Sequence, residues 1–122
     1  MMKKIILMYL LLPSLALAHS QVPREMRKFV ATERVDVALD VTNLNSFSQS
    51  YEVLVKGQVL GVFTLKPDET RKVQLNLRVE ESDKWMHKIV STRSIPREGE
   101  NLRTEIETLI SLYRPTIKGV EQ

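Results

Sequence analysis

The amino-acid sequence predicts an all-β protein in which about seven strands form an antiparallel β-sandwich. Apolar and polar residues alternate with a period of two along most of the chain, whereas helical periodicity is scarce. Residues that favour turns also divide the alternating runs into short segments. The chain has 122 residues, which is enough for one domain and not for two.

The first 18 residues predict a cleavable secretory signal peptide. Lys3 and Lys4 give it a positive start, residues 5–12 are all apolar, and Ala16 and Ala18 are small residues where signal peptidase reads the chain. The apolar run is too short to cross the membrane, because a spanning helix needs roughly 20 apolar residues. We therefore predict export to the periplasm, cleavage after Ala18 and no stable membrane insertion afterwards.

The mature chain would be a single domain over residues 19–122 with little net charge. The whole chain carries a net charge of +3, and loss of Lys3 and Lys4 with the signal peptide leaves +1. Charges of both signs are mixed along the rest of the sequence, so no nucleic-acid partner is predicted. The absence of cysteine excludes disulfides, thiolate catalysis and cysteine-ligated zinc.

The first half of the mature chain contains three clear strands. Residues 35–42 alternate between apolar and polar and are followed by turn-forming residues 43–46. A second strand runs through residues 51–55. A third covers residues 59–65, where Gly61 predicts a bulge or a close backbone approach. Residues 66–70 then form a turn in which a proline presets the first turning position.

The second half of the chain predicts three more strands. Residues 73–79 give the clearest alternation, with Val73, Leu75, Leu77 and Val79 facing inward. Residues 85–92 form the next strand, and residues 102–113 form the last, which ends at Arg114 and Pro115 because proline cannot donate to a ladder.

One segment near the start of the mature chain has an ambiguous pattern. Residues 24–32 fit an irregular first strand or a short helical turn. With that segment counted, six or seven short strands favour an immunoglobulin-like sandwich.

No enzymatic motif occurs in the sequence, so no catalytic residue, cofactor or resident metal is predicted. Two histidines remain after cleavage and suggest one alternative. A free N-terminal His19 can chelate copper through its amino group and ring, and His87 would supply a second imidazole. The methionine clusters that favour copper(I) are absent. Trp85, at the start of a predicted strand, is interpreted as a core residue.

Four segments, in order, resemble the N-terminal domain of the PapD-like periplasmic pilus chaperones, which has an immunoglobulin-like fold. Residues 39–43 (LDVTN) resemble the second strand and its closing asparagine, and residues 65–70 (LKPDET) resemble the turn before the fifth strand. Residues 93–96 (RSIP) and 109–115 (LISLYRP) resemble the ends of the sixth and seventh strands.

The resemblance implies that the seventh strand completes the sheet of a pilin subunit by strand addition. It also implies that an arginine and a lysine bind the carboxyl terminus of the subunit. Arg27 falls at the arginine position, whereas Ile110 stands where the lysine is expected. Asn101, Arg103 and Glu105 fall at positions where the family uses large aliphatic residues.

We therefore predict a non-enzymatic, periplasmic, chaperone-like protein that serves assembly of a pilus, secretion or conjugation apparatus. Its partner would be a pilin-like subunit or another envelope assembly component, bound through the first and last strands. Self-association through edge strands is a related prediction. The predicted partner-binding residues are Arg27, Leu109, Ile110, Leu112 and Tyr113.

Two alternatives stay open. The first is a periplasmic copper or small-ligand carrier that uses His19. The second is a structural pilus or envelope subunit, for which residues 19–28 would form a donor extension.

Overall fold

The computed structural model describes residues 18–116, which form eight β-strands in two packed sheets. The predicted signal peptide, apart from Ala18, lies outside the described residues. Within residues 18–116 there is no helix, and hence none that could cross a membrane. The strands are β1 (His19–Val22), β2 (Glu25–Phe29), β3 (Arg34–Asn43), β4 (Gln49–Val55), β5 (Gln58–Leu65), β6 (Thr70–Arg78), β7 (Trp85–Ser94) and β8 (Glu105–Tyr113).

The sheets confirm the predicted all-β sandwich. One sheet has the order β1-β3-β6 and the other has the order β2-β8-β7-β4-β5. Every neighbouring pair is antiparallel except β2 and β8, which are parallel. The ambiguous segment 24–32 contains a strand, β2, and the strand beyond the predicted seven is β1.

The start of the described chain contributes a strand to each sheet. β1 pairs with β3 in the three-stranded sheet, and β2 pairs with β8 in the five-stranded sheet. Pro23, which follows a cis peptide bond, separates the two strands. Proline has no N–H to donate, so the ladder of β1 ends before it. The chain then crosses from one sheet to the other.

The core lies between the two sheets and follows the predicted alternation. On β6 the outward Lys72 and Gln74 are exposed, Leu77 is buried, and Val73 and Leu75 are half-buried because β6 is an edge strand. The main cluster of buried side chains consists of Val30, Val37, Leu39, Val53, Leu77, Val79, Val90, Ile110 and Leu112.

The predicted irregularity near Gly61 is confirmed as a bulge in β5. Val53 pairs with Gly61, but the next residue, Leu54, pairs with Val59. Leu60 is therefore the extra residue. A bulge bends its strand and redirects the inserted side chain, and here it brings Leu60 to the margin between the sheets.

A buried asparagine joins the end of β3 to its neighbours. The Nδ2 of Asn43 donates to the carbonyl oxygens of Phe47, at 2.9 Å, and Leu65, at 3.0 Å. Its Oδ1 accepts from the Tyr51 hydroxyl at 3.1 Å and from the backbone N–H of Asn45 at 2.9 Å. Asn43 and Tyr51 are both fully buried. The amide thus supplies a donor to two backbone carbonyls at the end of β3.

A second buried polar group attaches β1 to the opposite sheet. The Nε2 of Gln21 donates to Thr108 Oγ1 at 2.7 Å and to the Val90 carbonyl at 3.1 Å. The Thr92 hydroxyl donates to Gln21 Oε1 at 2.6 Å. Because buried polar groups are costly when unpaired, these bonds favour one register for β1.

Candidate partner-binding surface

Three aromatic side chains meet on the outer face of the five-stranded sheet. Phe29 pairs in register with Tyr113, and Tyr113 pairs with Trp85 on its other side. The ring centroids lie 5.7 Å apart for Phe29 and Tyr113, and 5.4 Å apart for Trp85 and Tyr113. Phe29 and Trp85 are also 5.4 Å apart. The three residues form one aromatic cluster where β2 and β8 end and β7 begins.

Arg27 lies directly on this cluster. Its guanidinium carbon is 4.6 Å from the centroid of the Trp85 ring, which is a cation–π geometry. Within residues 18–116 the guanidinium takes part in no salt bridge. Its N–H groups therefore remain available for a carboxylate, which arginine binds through two parallel hydrogen bonds.

The cluster is accessible to other molecules. Phe29 is 74% exposed, which is unusual for so large an apolar side chain, and Arg27 is exposed as well. Trp85 and Tyr113 are half-buried, because they pack against each other. Tryptophan, tyrosine and arginine are the residue types enriched at the centres of protein interfaces. We refer to Arg27, Phe29, Trp85 and Tyr113 as the aromatic surface.

The structure brings together two of the five predicted partner-binding residues. Arg27 and Tyr113 both contact Trp85. Leu109 is 38% exposed on the same outer face, but it pairs with Ile89, about 13 Å along β8 from the cluster.

The prediction for Ile110 and Leu112 is wrong, because both side chains are fully buried in the core. Successive side chains of a strand point to opposite faces, so the even-numbered residues from Thr108 to Leu112 face inward. They stabilise the sandwich and cannot contact a partner docked on its surface.

The last strand, through which partner binding is predicted, is not an exposed edge along most of its length. β8 lies between β2 and β7, and β2 pairs with Leu109–Tyr113. Only the start of β8 extends beyond the β2 pairing, and there Arg24 Nε donates to the Glu107 carbonyl at 3.0 Å. The true edge on this side is β2. Asn101, Arg103 and Glu105 are all exposed.

The two histidines do not form a metal site together. His19 is 2% exposed, and its ring nitrogens hydrogen-bond the hydroxyls of Thr104 and Thr92, both at 3.0 Å. His87 is exposed on the opposite face of β7 and bonds Ser111 Oγ at 2.8 Å. About five residues of extended strand, or ~16 Å, separate His87 from Thr92. The two-histidine copper site is therefore wrong.

The interior position of His19 also affects its ionisation. Burial lowers the pKa of its imidazole below the usual 6.5. Among residues 18–116, no group of three or more histidine, aspartate or glutamate side chains is placed to hold a metal ion.

The segment considered as a donor extension is used within its own domain. β1 pairs with β3, and β2 pairs with β8 of the same chain. Residues 19–28 therefore offer no free strand for a neighbouring subunit in this conformation.

Two members of the aromatic surface, Phe29 and Trp85, were not predicted as binding residues. Trp85 is not a core residue, since it sits over the outer face with Arg27 against it. Phe29 lies in the segment whose pattern was ambiguous. The available signal was composition. The chain has one tryptophan and three phenylalanines, and one of the phenylalanines, Phe29, lies two residues from Arg27.

Solved pilus chaperones have a similar fold. Similar structures include the periplasmic chaperone SfaE (TM-score 0.62, 12% identity) and the Salmonella enterica complex of the SafA pilin with the SafB chaperone (0.65, 15%). The E. coli chaperone DraB is a third (0.57, 14%). The resemblance to periplasmic pilus chaperones is confirmed at the level of the fold.

The likeness covers most of this chain but little more than half of those proteins. The matches include 84%, 83% and 80% of this chain, and 60%, 56% and 55% of the solved chains. No protein-family model matches the sequence, and no curated protein matches it either.

Proposed function

We propose that this chain is a non-enzymatic, chaperone-like protein of the periplasm that binds a partner protein during assembly of a pilus, secretion or conjugation apparatus. The observation that carries the proposal is the fold shared with three solved pilus chaperones, one of them in a complex with a pilin. The partner is a pilin-like subunit or another envelope component. We further propose that the region from residue 19 onward is released by cleavage after Ala18 and that residues 19–122 fold as one domain.

The aromatic surface and the adjoining edge of β2 form the proposed binding site. Within residues 18–116, β2 pairs only with β8, so the other side of its backbone is free to accept a strand. Phe29 and Trp85 would bury apolar side chains of that strand. Burying a large apolar side chain contributes roughly 1.5–3 kcal/mol before the costs of association.

Arg27 adds a specific polar contact at the same place. Its guanidinium would bind a carboxylate of the partner, either a chain terminus or an acidic side chain. The residue at the position of the family's lysine, Ile110, is fully buried and cannot contribute. A carboxylate bound here would therefore rely on Arg27 alone, and the neighbouring aromatic rings would supply the rest of the affinity.

Site-specific photo-crosslinking tests the proposal. A photoreactive phenylalanine analogue replaces Phe29 in the exported protein, and the same analogue at Lys72, exposed on the other sheet, serves as control. We expect position 29, and not position 72, to form a covalent adduct with an envelope assembly protein identified by mass spectrometry. Arg27→Ala should weaken the adduct at least about tenfold, whereas Lys72→Ala should leave it unchanged.

Two results would contradict the proposal. One is a monodisperse monomer in size-exclusion chromatography that forms no adduct at position 29. The other is an adduct made only of two copies of this chain, which would identify the aromatic surface as a site of self-association through edge strands.

A further inference from the structure

The two sheets leave an open slot between β5 and β6. These strands are consecutive in sequence but lie in different sheets. Within residues 18–116, β5 pairs only with β4, and β6 pairs only with β3. Each strand therefore presents a row of unpaired backbone N–H and C=O groups on this flank of the sandwich.

The middle of the slot is an apolar cavity of about 340 Å³. Its walls include Leu60 from the bulge of β5, and Val73 and Leu75 from β6. Gly61 also lines it, and a Cβ added at Gly61 would meet no atom within 4 Å. The glycine thus leaves room at a position where the interior-facing residue of a strand is normally large.

One end of the slot is basic. A second cavity of about 230 Å³ adjoins the first and shares Leu60 and Asn76 with it. Four cationic side chains line it, and no acidic side chain does. The four are Arg34, Lys56, Arg78 and Lys88.

Acidic residues outside the cavity neutralise only part of this charge. Glu80 pairs with Lys88 at 2.8 Å and with Lys56 at 3.8 Å, and Glu33 pairs with Arg78 at 3.0 Å. Arg34 donates to the neutral amide oxygen of Asn76 at 2.8 Å. Asp36 accepts from the Nδ2 of the same Asn76 at 2.9 Å. Three carboxylates thus lie close to four cations, and the end of the slot keeps a small net positive charge.

We propose that this slot is a second binding site, which accepts an extended peptide with apolar side chains at alternate positions and a carboxylate at its end. Free backbone groups on both walls favour a peptide over an acyl chain, because only a peptide can pair with them. The cations at the end of the slot complement a carboxylate.

The composition of β5 supports the same conclusion. None of its eight residues is charged, and Val59 and Leu60 are each more than 40% exposed. Natural edge strands are normally protected by charged residues, as β2 is by Glu25, Arg27 and Lys28. An uncharged, apolar edge beside an open slot is suited to a strand that covers it.

The test uses a fluorescent synthetic peptide of about eight residues, long enough to pair with β5, in which valine and threonine alternate. One form has a free C-terminal carboxylate and the other an amide. Fluorescence anisotropy with the purified protein should show at least about tenfold tighter binding of the acid. Gly61→Leu, which places a side chain in the cavity, should abolish binding of both forms, whereas Val62→Leu on the outer face of the same strand should not.

A charge variant tests the basic end separately. Arg34→Gln should reduce the affinity for the acid to that for the amide, and Lys72→Gln on the outer face of β6 should have no effect. Gly61→Ala is a smaller change that should weaken binding. It provides the measurement if the Gly61→Leu variant does not fold. Arg27→Ala should leave this binding intact, since the slot is separate from the aromatic surface.

Three outcomes would overturn the inference. The first is equal affinity for the acid and the amide, and the second is undiminished binding to both Gly61 variants. The third is displacement of the peptide by decanoate at comparable affinity, which would assign the slot to an acyl chain. None of these bears on the crosslinking result at Phe29, so the two proposals fail independently.

Discussion

Lys88 extends into the interior of the sandwich and places its Nζ 2.8 Å from Glu80 Oε1 and 3.0 Å from Oε2. The lysine side chain is 4% exposed, whereas that of Glu80 is 36% exposed. The hydrogen bonds from Lys88 lower the pKa of Glu80 to about 2. A buried ammonium group thus depends on a single carboxylate at the mouth of the sandwich.

Removing the carboxylate should destabilise the protein more than removing the lysine. Glu80→Gln leaves the buried ammonium without a counter-charge, and we expect a loss of about 2 kcal/mol in the free energy of unfolding. This is less than the 3–5 kcal/mol typical of a fully buried pair because Glu80 is partly solvated. Lys88→Met removes the desolvated charge itself and should change stability by less than about 1 kcal/mol. Urea denaturation measures both values, and the reverse order would contradict this account.

Glu80 should also make stability depend on pH in the acidic range. Its pKa is about 2 in the folded protein and 4.5 ordinarily, so the ion pair contributes fully above about pH 4.5. That contribution is lost as the pH falls through 4.5 toward 2. Urea midpoints between about pH 6 and about pH 3 should decline less steeply for Glu80→Gln than for the unaltered protein. An equal decline in both would show that other carboxylates account for the acid sensitivity.

His19 should add a second dependence at higher pH. Burial lowers the pKa of its imidazole below 6.5, so protonation is easier in the unfolded chain than in the folded one. Its neutral form therefore stabilises the fold above about pH 6.5, and that contribution falls as the pH drops below this value. His19→Gln should remove the change in urea midpoint between about pH 7.5 and about pH 5.5, and His87→Gln, on the exposed face, is the matched control. If the urea midpoint of His19→Gln still changes over this pH range, the effect belongs to another titrating group.

The bonds of Asn43 should matter more than the hydroxyl of Tyr51. Asn43→Ala removes both donors to the carbonyls of Phe47 and Leu65, and we expect a cost of about 3 kcal/mol. Tyr51→Phe removes one bond, and Asn43 Oδ1 still accepts from Asn45, so the cost should be about 1 kcal/mol. Thermal unfolding of the two variants gives the comparison. Equal losses of stability in the two variants would contradict the larger role given to the Asn43 amide.

The predicted processing site can be checked on the exported protein. Intact-mass measurement of the periplasmic fraction should give a chain that begins at His19. Ala18→Arg replaces the small residue required before the cleavage point and should leave the precursor uncleaved in the membrane fraction. Ser20→Arg, on the other side of the cleavage point, is the control that should still be processed. A mature chain that begins elsewhere would correct the boundary.

The strands were predictable because burial leaves a local pattern in the sequence. The alternation of Val73, Leu75, Leu77 and Val79 is enough to identify β6 and its inward face, and Gly61 was enough to locate the bulge. Each of these features depends on residues that are adjacent in the chain, so the period-two pattern reports them directly.

The aromatic surface was only partly predictable because it depends on pairing between distant strands. Phe29 meets Tyr113 through a parallel pairing of β2 with β8, and no local pattern specifies that register. The same limit explains the wrong prediction for Ile110 and Leu112. The resemblance indicates which strand they belong to, but the register of that strand turns both side chains into the core. The burial of Lys88 could not be predicted either, because a charged residue on a strand is normally assigned to the solvated face.

The parallel pairing of β2 with β8 has a consequence for how the chain reaches this structure. Arg24 and Glu107, which flank the start of that pairing, are 83 positions apart in sequence. In the proposed export, the β2 segment leaves the translocation channel before the β8 segment, because it comes earlier in the chain. The five-stranded sheet therefore cannot be completed until the chain has crossed as far as Tyr113. Contacts of such long range also slow folding, because a large loop must close before they form. Until then the edge of β2 that will pair with β8 stays unpaired and accessible to other proteins.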